Sequence, residues 1–275
     1  MTSTYEEEVA SGQRFKFGKN WERFLSVIDD ERIAEAEKSI KQMLGLEDLQ
    51  GKSFLDIGSG SGLFSLAACR LRAKVYSFDY DPQSVACTQE LRRRYLQDDP
   101  DWIVESGSVL DLNYLKSLGQ FDIVYSWGVL HHTGAMWQAL ENITPLVTTG
   151  GKLFIAIYND QSNKSHMWRK IKQVYCSGII GKTIVSAVLI PYFIGGRFVV
   201  DILKRRNPVL RYREKKKSRG MSVFHDLFDW LGGLPFEVAK PEEIFKFYHQ
   251  RGFVLENLVT CGGGLGNNQF VFVKK

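Results

Sequence analysis

The chain has few cysteines, and none of them has metal-ligand spacing. The four thiols lie far apart and outside any Cys-X-X-Cys motif, at Cys69, Cys87, Cys176 and Cys261. This pattern argues against a disulfide framework and against a cysteine-based zinc site. We interpret the thiols as small buried side chains in a reducing compartment, and we predict no metal ion.

No secretory signal and no membrane-spanning run is recognisable in the sequence. Where a signal would place basic residues before an apolar run, the chain carries Glu6, Glu7 and Glu8. Fourteen uncharged residues run from Thr183 to Gly196, which is too short for a bilayer and fits a buried or interfacial helix. We expect a cytoplasmic location, with peripheral membrane contact as an open alternative.

Short runs of β-branched and aromatic residues alternate with helical stretches from Ser53 to the C-terminus. This alternation is typical of a mostly parallel sheet with helices on both faces. The predicted strands are 53–57, 74–78, 102–105, 121–125, 152–158, 253–259 and 269–273. The fold class is therefore α/β, a doubly wound and mostly parallel sheet of seven strands.

Two regions fall outside this alternation. Residues 1–50 are predicted as an N-terminal segment, mostly helical after Asp30, that acts as a lid. Residues 159–239 form an excursion far longer than an ordinary crossover, and we interpret them as a helical cap insertion for a substrate. The core domain then comprises residues 51–158, completed by one helix and two strands in 240–275.

A glycine-rich turn follows the first predicted strand, in the string LDIGSGSG at 55–62. In open α/β sheets ligands bind at the carboxyl ends of the strands, where glycine lets the backbone approach them. A dinucleotide fingerprint would place its third glycine where Leu63 stands, but here the glycine is Gly62. The spacing therefore argues against a pyrophosphate site. A simple tight turn does not explain why the second strand also ends in an acid, Asp79.

This string and the order of the later strands resemble class I S-adenosylmethionine-dependent methyltransferases over residues 50–160. The resemblance implies a Rossmann-like fold and S-adenosylmethionine as cofactor. It also implies that Asp56 lies near the methionine ammonium and that Asp79 binds the ribose hydroxyls. A carboxylate is a natural acceptor for a vicinal diol, and negative charge near a sulfonium is favourable.

The resemblance extends to two later strand ends and to the N-terminus. It implies that the turn 107–109 packs beside the adenine and that the backbone of residues 125–132 lines the methionine part of the pocket. N-terminal segments of related enzymes close over the cofactor, which makes Arg14 a partner for the methionine carboxylate; an aromatic staple is the alternative. The predicted cofactor-binding residues are Arg14, Trp21, Asp56, Gly58, Ser59, Gly60, Gly62, Asp79, Tyr80, Ser108, Val109, Ser126 and Trp127.

A hydroxyl acceptor would require a base to remove its proton. The predicted catalytic candidates are His131, His132, His225 and Asp229. The first two follow the fourth strand, where capping of the helix or packing beneath the loop is the favoured explanation. The other two lie in a segment rich in aromatic and glycine residues, which suits a substrate pocket with a lid or a loop tucked onto the sheet.

Nine basic residues lie between Lys204 and Arg219, opposed by Glu214 alone. They suit an anionic membrane surface or a phosphate on the acceptor, but a solvated basic face over a helical cap is the favoured explanation. Nucleic acid ranks lowest, because no RNA-binding module is recognisable.

We therefore predict methyl transfer to a small-molecule, sugar or lipid-like acceptor, with oxygen as the target atom. The broad resemblance is to quinone-biosynthesis and small-molecule methylases, from which the long cap departs. The alternatives are an oxidoreductase that uses a nucleotide cofactor and a non-catalytic scaffold that binds S-adenosylmethionine.

Overall fold

The computed structural model describes residues 4–97, 99–203 and 230–275 of the chain. Their strands form one seven-stranded sheet in the order β3-β2-β1-β4-β5-β7-β6. The strands are β1 (Ser53–Ile57), β2 (Lys74–Asp79), β3 (Trp102–Ser106), β4 (Phe121–Trp127), β5 (Val147–Tyr158), β6 (Phe253–Val259) and β7 (Asn267–Lys274). β7 runs antiparallel to both of its neighbours, and the other pairs are parallel. The predicted fold class is confirmed.

The strand order reverses between β1 and β4, which lie side by side in the middle of the sheet. β1 pairs with β2 on one side and with β4 on the other. In doubly wound sheets a crevice opens at such a switch point, at the carboxyl ends of the two strands. The fold thus places a binding site beside the glycine turn.

Helices cover both faces of the sheet and extend beyond it. They are α1 (Tyr5–Ala10), α2 (Gly18–Leu25), α3 (Asp30–Leu44), α4 (Leu63–Arg70), α5 (Pro82–Leu96), α6 (Leu112–Leu118), α7 (Met136–Ile143), α8 (Asn163–Cys176), α9 (Ile179–Leu203) and α10 (Pro241–His249). Helix α3 begins at the predicted Asp30, whereas α1 and α2 add helical structure ahead of it. Two buried clusters fill the faces, one around α6, α7 and α10 and the other around α3, α4 and α5.

Local chemistry explains where several helices begin and end. Asp81 caps α5 by accepting from the Gln83 N–H, and Pro82 occupies the first turn, where no N–H is required. Gly45 ends α3 in the left-handed conformation.

A proline ends the helix that precedes β5. Helix α7 ends at Ile143, a 3-10 turn with Pro145 follows at Thr144–Leu146, and β5 begins at Val147. Proline lacks the N–H that a continuing helix needs.

The excursion after β5 begins with two packed helices, α8 and α9, and the described chain resumes at Trp230. None of the described helices is long and apolar enough to cross a membrane.

Candidate cofactor and acceptor site

The glycine turn after β1 has three residues with positive φ, at +77° for Gly58, +56° for Gly60 and +80° for Gly62. A Cβ on Gly60 would lie 2.9 Å from the Trp21 ring, so this position forms a tight cradle beneath the N-terminal segment. A Cβ on Gly62 would instead meet Thr88 on α5 at 2.9 Å. Gly58, Ser59 and Gly60 line the main cavity, whereas Gly62 serves the packing of α4 against α5.

Asp56 is buried at the floor of this cavity, where it ends a chain of hydrogen bonds. The Ser65 hydroxyl donates to Asp56 Oδ2 at 2.5 Å and lies 2.7 Å from Ser77 Oγ, which accepts from Trp102 Nε1 at 2.8 Å. Burial raises the pKa of Asp56 to about 7; the Ser65 hydrogen bond opposes this rise, and the charge of Asp79 adds to it. A cation beside this carboxyl would favour its ionised form.

Asp79 ends β2 and also lines the cavity. Its two oxygens accept from the backbone N–H groups of Gly60 and Asp81, each at 2.9 Å. Burial raises the pKa of Asp79 to about 6, against the effect of these hydrogen bonds. A carboxylate oxygen has more than one acceptor position, so each oxygen keeps capacity for one hydroxyl of a diol.

The turn after β3 and the ends of β2 and β4 complete the cavity wall. Tyr80, Ser108, Val109 and Trp127 line it as predicted residues. The Trp127 indole donates to Gln269 Oε1 at 3.0 Å, which fixes the orientation of the ring. Ser126 was predicted to line the pocket, but its side chain is fully buried and donates to the Ile57 carbonyl instead. The alternation of side chains along β4 points it away from the cavity.

The N-terminal segment closes over the cavity and is fixed to it at several points. The Gly18 N–H donates to Asp81 Oδ2 at 2.8 Å, and the Phe15 N–H donates to the Leu234 carbonyl at 3.0 Å. Asp81 was missed by the sequence analysis, although the Asp-Pro pair at the start of α5 marked it as a capping residue. Its second oxygen provides the tie to the N-terminal segment.

Arg14 joins the N-terminal segment to the turn after β4. Its guanidinium pairs with Glu8 at 2.5 Å, donates to the His132 carbonyl at 2.9 Å and lies 5.0 Å from the Tyr80 ring centre. Arg14 and Trp21 both line the cavity. Pairing of Arg14 with a cofactor carboxylate stays a prediction, since the structure gives this side chain a partner in Glu8.

His131 and His132 lie next to each other but face different surroundings. His131 is fully buried outside the cavity wall; its Nδ1 accepts from the Tyr158 N–H at 3.3 Å, and its ring lies 3.9 Å from that of Tyr158. His132 lines the cavity, and its Nδ1 lies 2.7 Å from the Pro235 carbonyl. A carbonyl only accepts, so Nδ1 carries the proton and Nε2 keeps its lone pair.

Burial lowers the pKa of His132 to about 3; the Pro235 hydrogen bond opposes this effect, and the charges of Lys172 and Arg14 add to it. Burial also holds the pKa of His131 well below its usual value. Both rings are therefore neutral at physiological pH.

The cavity has a volume of about 2120 Å³ and continues beyond the end of β4. There its wall is rich in aromatic rings, including those of Phe17, Tyr158, Phe193 and Trp230. None of the four was named as a site residue from the sequence, because each comes from a different element. His225, Asp229 and the basic stretch 204–219 lie outside the described residues. Within the described ranges, no cluster of three or more His, Cys, Asp or Glu residues is placed to hold a metal ion.

The switch-point crevice, the glycine cradle and the two strand-end carboxyls have the arrangement expected of a class I methyltransferase site. They fit S-adenosylmethionine: Asp56 suits a cationic group, Asp79 suits a diol, and Gly60 leaves room where a Cβ would clash with Trp21.

Comparison with known proteins supports this assignment. A family model described as a methyltransferase domain matches residues 55–153. A ubiquinone biosynthesis O-methyltransferase of Xanthomonas oryzae pv. oryzae is 32% identical over 112 residues, covering 41% of this chain and 45% of that protein. A ribosomal protein L11 methyltransferase of Helicobacter hepaticus is 43% identical over 94 residues, or 30% of each chain. The chain thus matches less than half the length of these curated relatives.

The solved structures show the same fold. Magnesium protoporphyrin IX methyltransferase from Synechocystis PCC 6803 with bound SAH aligns with a TM-score of 0.55 at 14% identity, covering 94% of both chains. The predicted class is confirmed where the family model matches: residues 55–153 form a methyltransferase domain, on the fold of the class I, S-adenosylmethionine-dependent enzymes.

Proposed function

We propose that the protein transfers a methyl group from S-adenosylmethionine to an oxygen atom of a small-molecule, sugar or lipid-like acceptor. The observation that carries this proposal is the part of the cavity beyond β4, where aromatic rings surround a neutral histidine, His132. Aromatic walls with a few fixed polar groups are typical of small-molecule sites.

The cofactor, when bound, supplies a methyl group activated on a sulfonium. The protein must then align the acceptor, exclude water and take up its proton. The N-terminal segment excludes water, because Gly18 and Phe15 hold it across the cavity. His132 is the group that we propose as hydrogen-bond acceptor for the reacting hydroxyl, since its Nε2 lone pair stays available at physiological pH.

The aromatic wall favours an acceptor with an apolar ring or chain next to its hydroxyl group. Tyr158 contributes to this wall from β5, Phe193 from α9 and Trp230 from the segment that returns to the sheet. The Tyr158 and Trp230 rings meet edge to face at 5.4 Å. Among the relatives, the ubiquinone biosynthesis O-methyltransferase supports oxygen as the target atom.

Two measurements test the proposal. Titration calorimetry should show binding of S-adenosylhomocysteine and no binding of NAD. The reverse result would contradict the proposal and favour the oxidoreductase alternative. Transfer of radiolabelled methyl groups should then be assayed on phenols, hexoses and a lipid extract. Incorporation into base-labile protein esters alone would contradict the small-molecule acceptor.

The scaffold alternative predicts cofactor binding without transfer to any of these acceptors. Asp79→Asn serves as the matched control in both assays. It keeps the size of the side chain but removes the charge that we assign to the diol, so it should weaken cofactor binding and lower any genuine transfer in parallel.

A further inference from the structure

Helix α9 carries a stripe of exposed apolar side chains, defined by Ile180, Ile184, Val188 and Tyr192. These residues recur every four positions and therefore share one face of the helix. Their side chains are 77%, 56%, 62% and 70% exposed, in that order. Large apolar side chains that form a continuous exposed surface mark interaction sites.

A second face of α9, about 100° around the helix from the stripe, is apolar as well and packs within the protein. Val185 is buried there in a cluster with Trp168 and Leu234, and Phe193 stacks on Trp168 at 5.9 Å. Packing within the protein thus accounts for one face and leaves the stripe without a role. A helix that is apolar on two faces needs a second apolar environment.

The charges around α9 indicate what that environment is. No charged residue occurs from Thr183 to Gly196, and nine basic residues follow between Lys204 and Arg219 with Glu214 as their sole acid. An apolar helix face that is followed in the sequence by a basic stretch is typical of helices that lie in the interface of an anionic membrane. A protein partner or a second copy would not require this excess of one sign.

We propose that α9 docks the protein onto an anionic lipid surface, with the stripe at the boundary between headgroups and acyl chains. Tyr192 stands at the end of the stripe, and its amphipathic ring suits the headgroup level. The next residue, Phe193, lines the main cavity. One helix therefore forms both the membrane contact and part of the acceptor wall, which suits an acceptor drawn from the lipid phase. The docking itself does not depend on the proposed reaction.

Flotation of the full-length protein tests the proposal with two kinds of vesicle. One is phosphatidylcholine alone, and the other is phosphatidylcholine with an equal part of phosphatidylglycerol. We expect partition into the mixed vesicles and roughly a tenfold or greater loss in the double variant Ile184→Ser, Val188→Ser. The matched control is Ile103→Ser with Val254→Ser, since both side chains are comparably exposed on strands away from the stripe.

Binding of S-adenosylhomocysteine shows whether each variant is folded, since neither pair of residues lines the cavity. In Tyr192→Trp, the added indole should be quenched by brominated lipid. Equal flotation of the stripe and control variants would overturn the proposal, as would absence of flotation. A dimer in light scattering that the stripe variant dissociates, without any vesicle binding, would assign the stripe to a second copy of the chain and would equally overturn it.

Discussion

The hydroxyl of Ser65 donates to Asp56 Oδ2 at 2.5 Å. This bond fixes which group donates in each of the two hydrogen bonds that connect Ser65 to Ser77 and Ser77 to Trp102. The Trp102 indole can only donate, so Ser77 accepts from it and must donate its own proton to Ser65. Three buried side chains from α4, β2 and β3 thereby orient the Asp56 carboxyl, which lines the main cavity.

Removing this hydroxyl should weaken cofactor binding. In Ser65→Ala, Asp56 loses the hydrogen bond that lowers its pKa, so less of it is ionised at neutral pH. We expect roughly tenfold weaker binding of S-adenosylmethionine and a pH dependence displaced to higher pH. Calorimetry at several pH values measures both. Ser165→Ala is the control, because it also removes a buried hydroxyl, one that accepts from the Gln161 N–H. An unchanged pH profile in Ser65→Ala would contradict the assigned role.

Affinity for S-adenosylmethionine should rise with pH in the wild-type protein. Burial raises the pKa of Asp56 to about 7 and that of Asp79 to about 6. In the proposed site, Asp56 must be ionised to pair with the positive charge of the cofactor, and Asp79 must be ionised to accept from its diol. Binding should weaken as the pH falls below 7, by at most about tenfold per pH unit for each carboxyl. Titration of Asp79→Asn should show a shallower slope.

Stability of the ligand-free protein should change in the opposite sense. The pKa of Asp56 is higher in the folded state, about 7, than its ordinary value of 3.8. The folded state therefore binds the proton more tightly, and this contribution to stability is lost as the pH rises from 3.8 through 7. Its slope is at most about 1.4 kcal/mol per pH unit. Urea unfolding on both sides of pH 7 measures it, and a rise in stability with pH that disappears in Asp56→Asn would refute the assignment.

The glycine cradle can be separated from backbone strain by a pair of variants. Gly60→Ala places a Cβ 2.9 Å from the Trp21 ring, whereas Gly45→Ala at φ +63° meets nothing within 4 Å. Both should lose about 1 kcal/mol of stability from the positive φ. We expect Gly60→Ala alone to weaken S-adenosylhomocysteine binding, as measured by calorimetry. Equal effects of both variants on binding would show that the space at Gly60 is not needed for the cofactor.

Asp81 should act on the N-terminal segment as well as on α5. Asp81→Ala removes the N-cap of α5 and should lower the free energy of unfolding by about 1 kcal/mol. Asp29→Ala is the matched control, because it removes the N-cap of α3 at a similar cost. Asp81→Ala alone also frees the Gly18 N–H, so trypsin should cut faster at Lys16 and Lys19. Proteolysis of the wild type and both variants, with and without S-adenosylhomocysteine, measures this. Equal cutting in the two variants would exclude the tie.

His132→Asn should separate reaction from binding. The asparagine amide can keep the hydrogen bond to Pro235 but offers no counterpart of Nε2 to the cavity. We expect roughly a hundredfold slower methyl transfer with unchanged binding of S-adenosylhomocysteine. His131→Asn is the comparison. Because His131 is buried outside the cavity wall, its loss should lower the stability of the protein more than the rate of methyl transfer. Equal loss of transfer in the two variants at equal stability would argue against His132 as the hydrogen-bond acceptor for the reacting hydroxyl.

The sheet, the glycine turn and the two acids at strand ends could all be predicted from the sequence. These features depend on local periodicity and on residue type at one place in the chain, and the seven strands were found within a few residues except at the start of β5. The methyl-donor class followed from the same local strings, since Asp56, Gly58, Gly60 and Asp79 are close in sequence to the strands that position them.

Tertiary structure alone decided which predicted residues meet the cavity. Gly62 and Ser126 belong to the same strings but pack elsewhere, and of the two adjacent histidines only His132 reaches the wall. The tie between Gly18 and Asp81 joins residues 63 positions apart, and the acceptor wall takes Tyr158, Phe193 and Trp230 from three elements. Such contacts depend on how distant segments pack together, and no spacing within the chain records them.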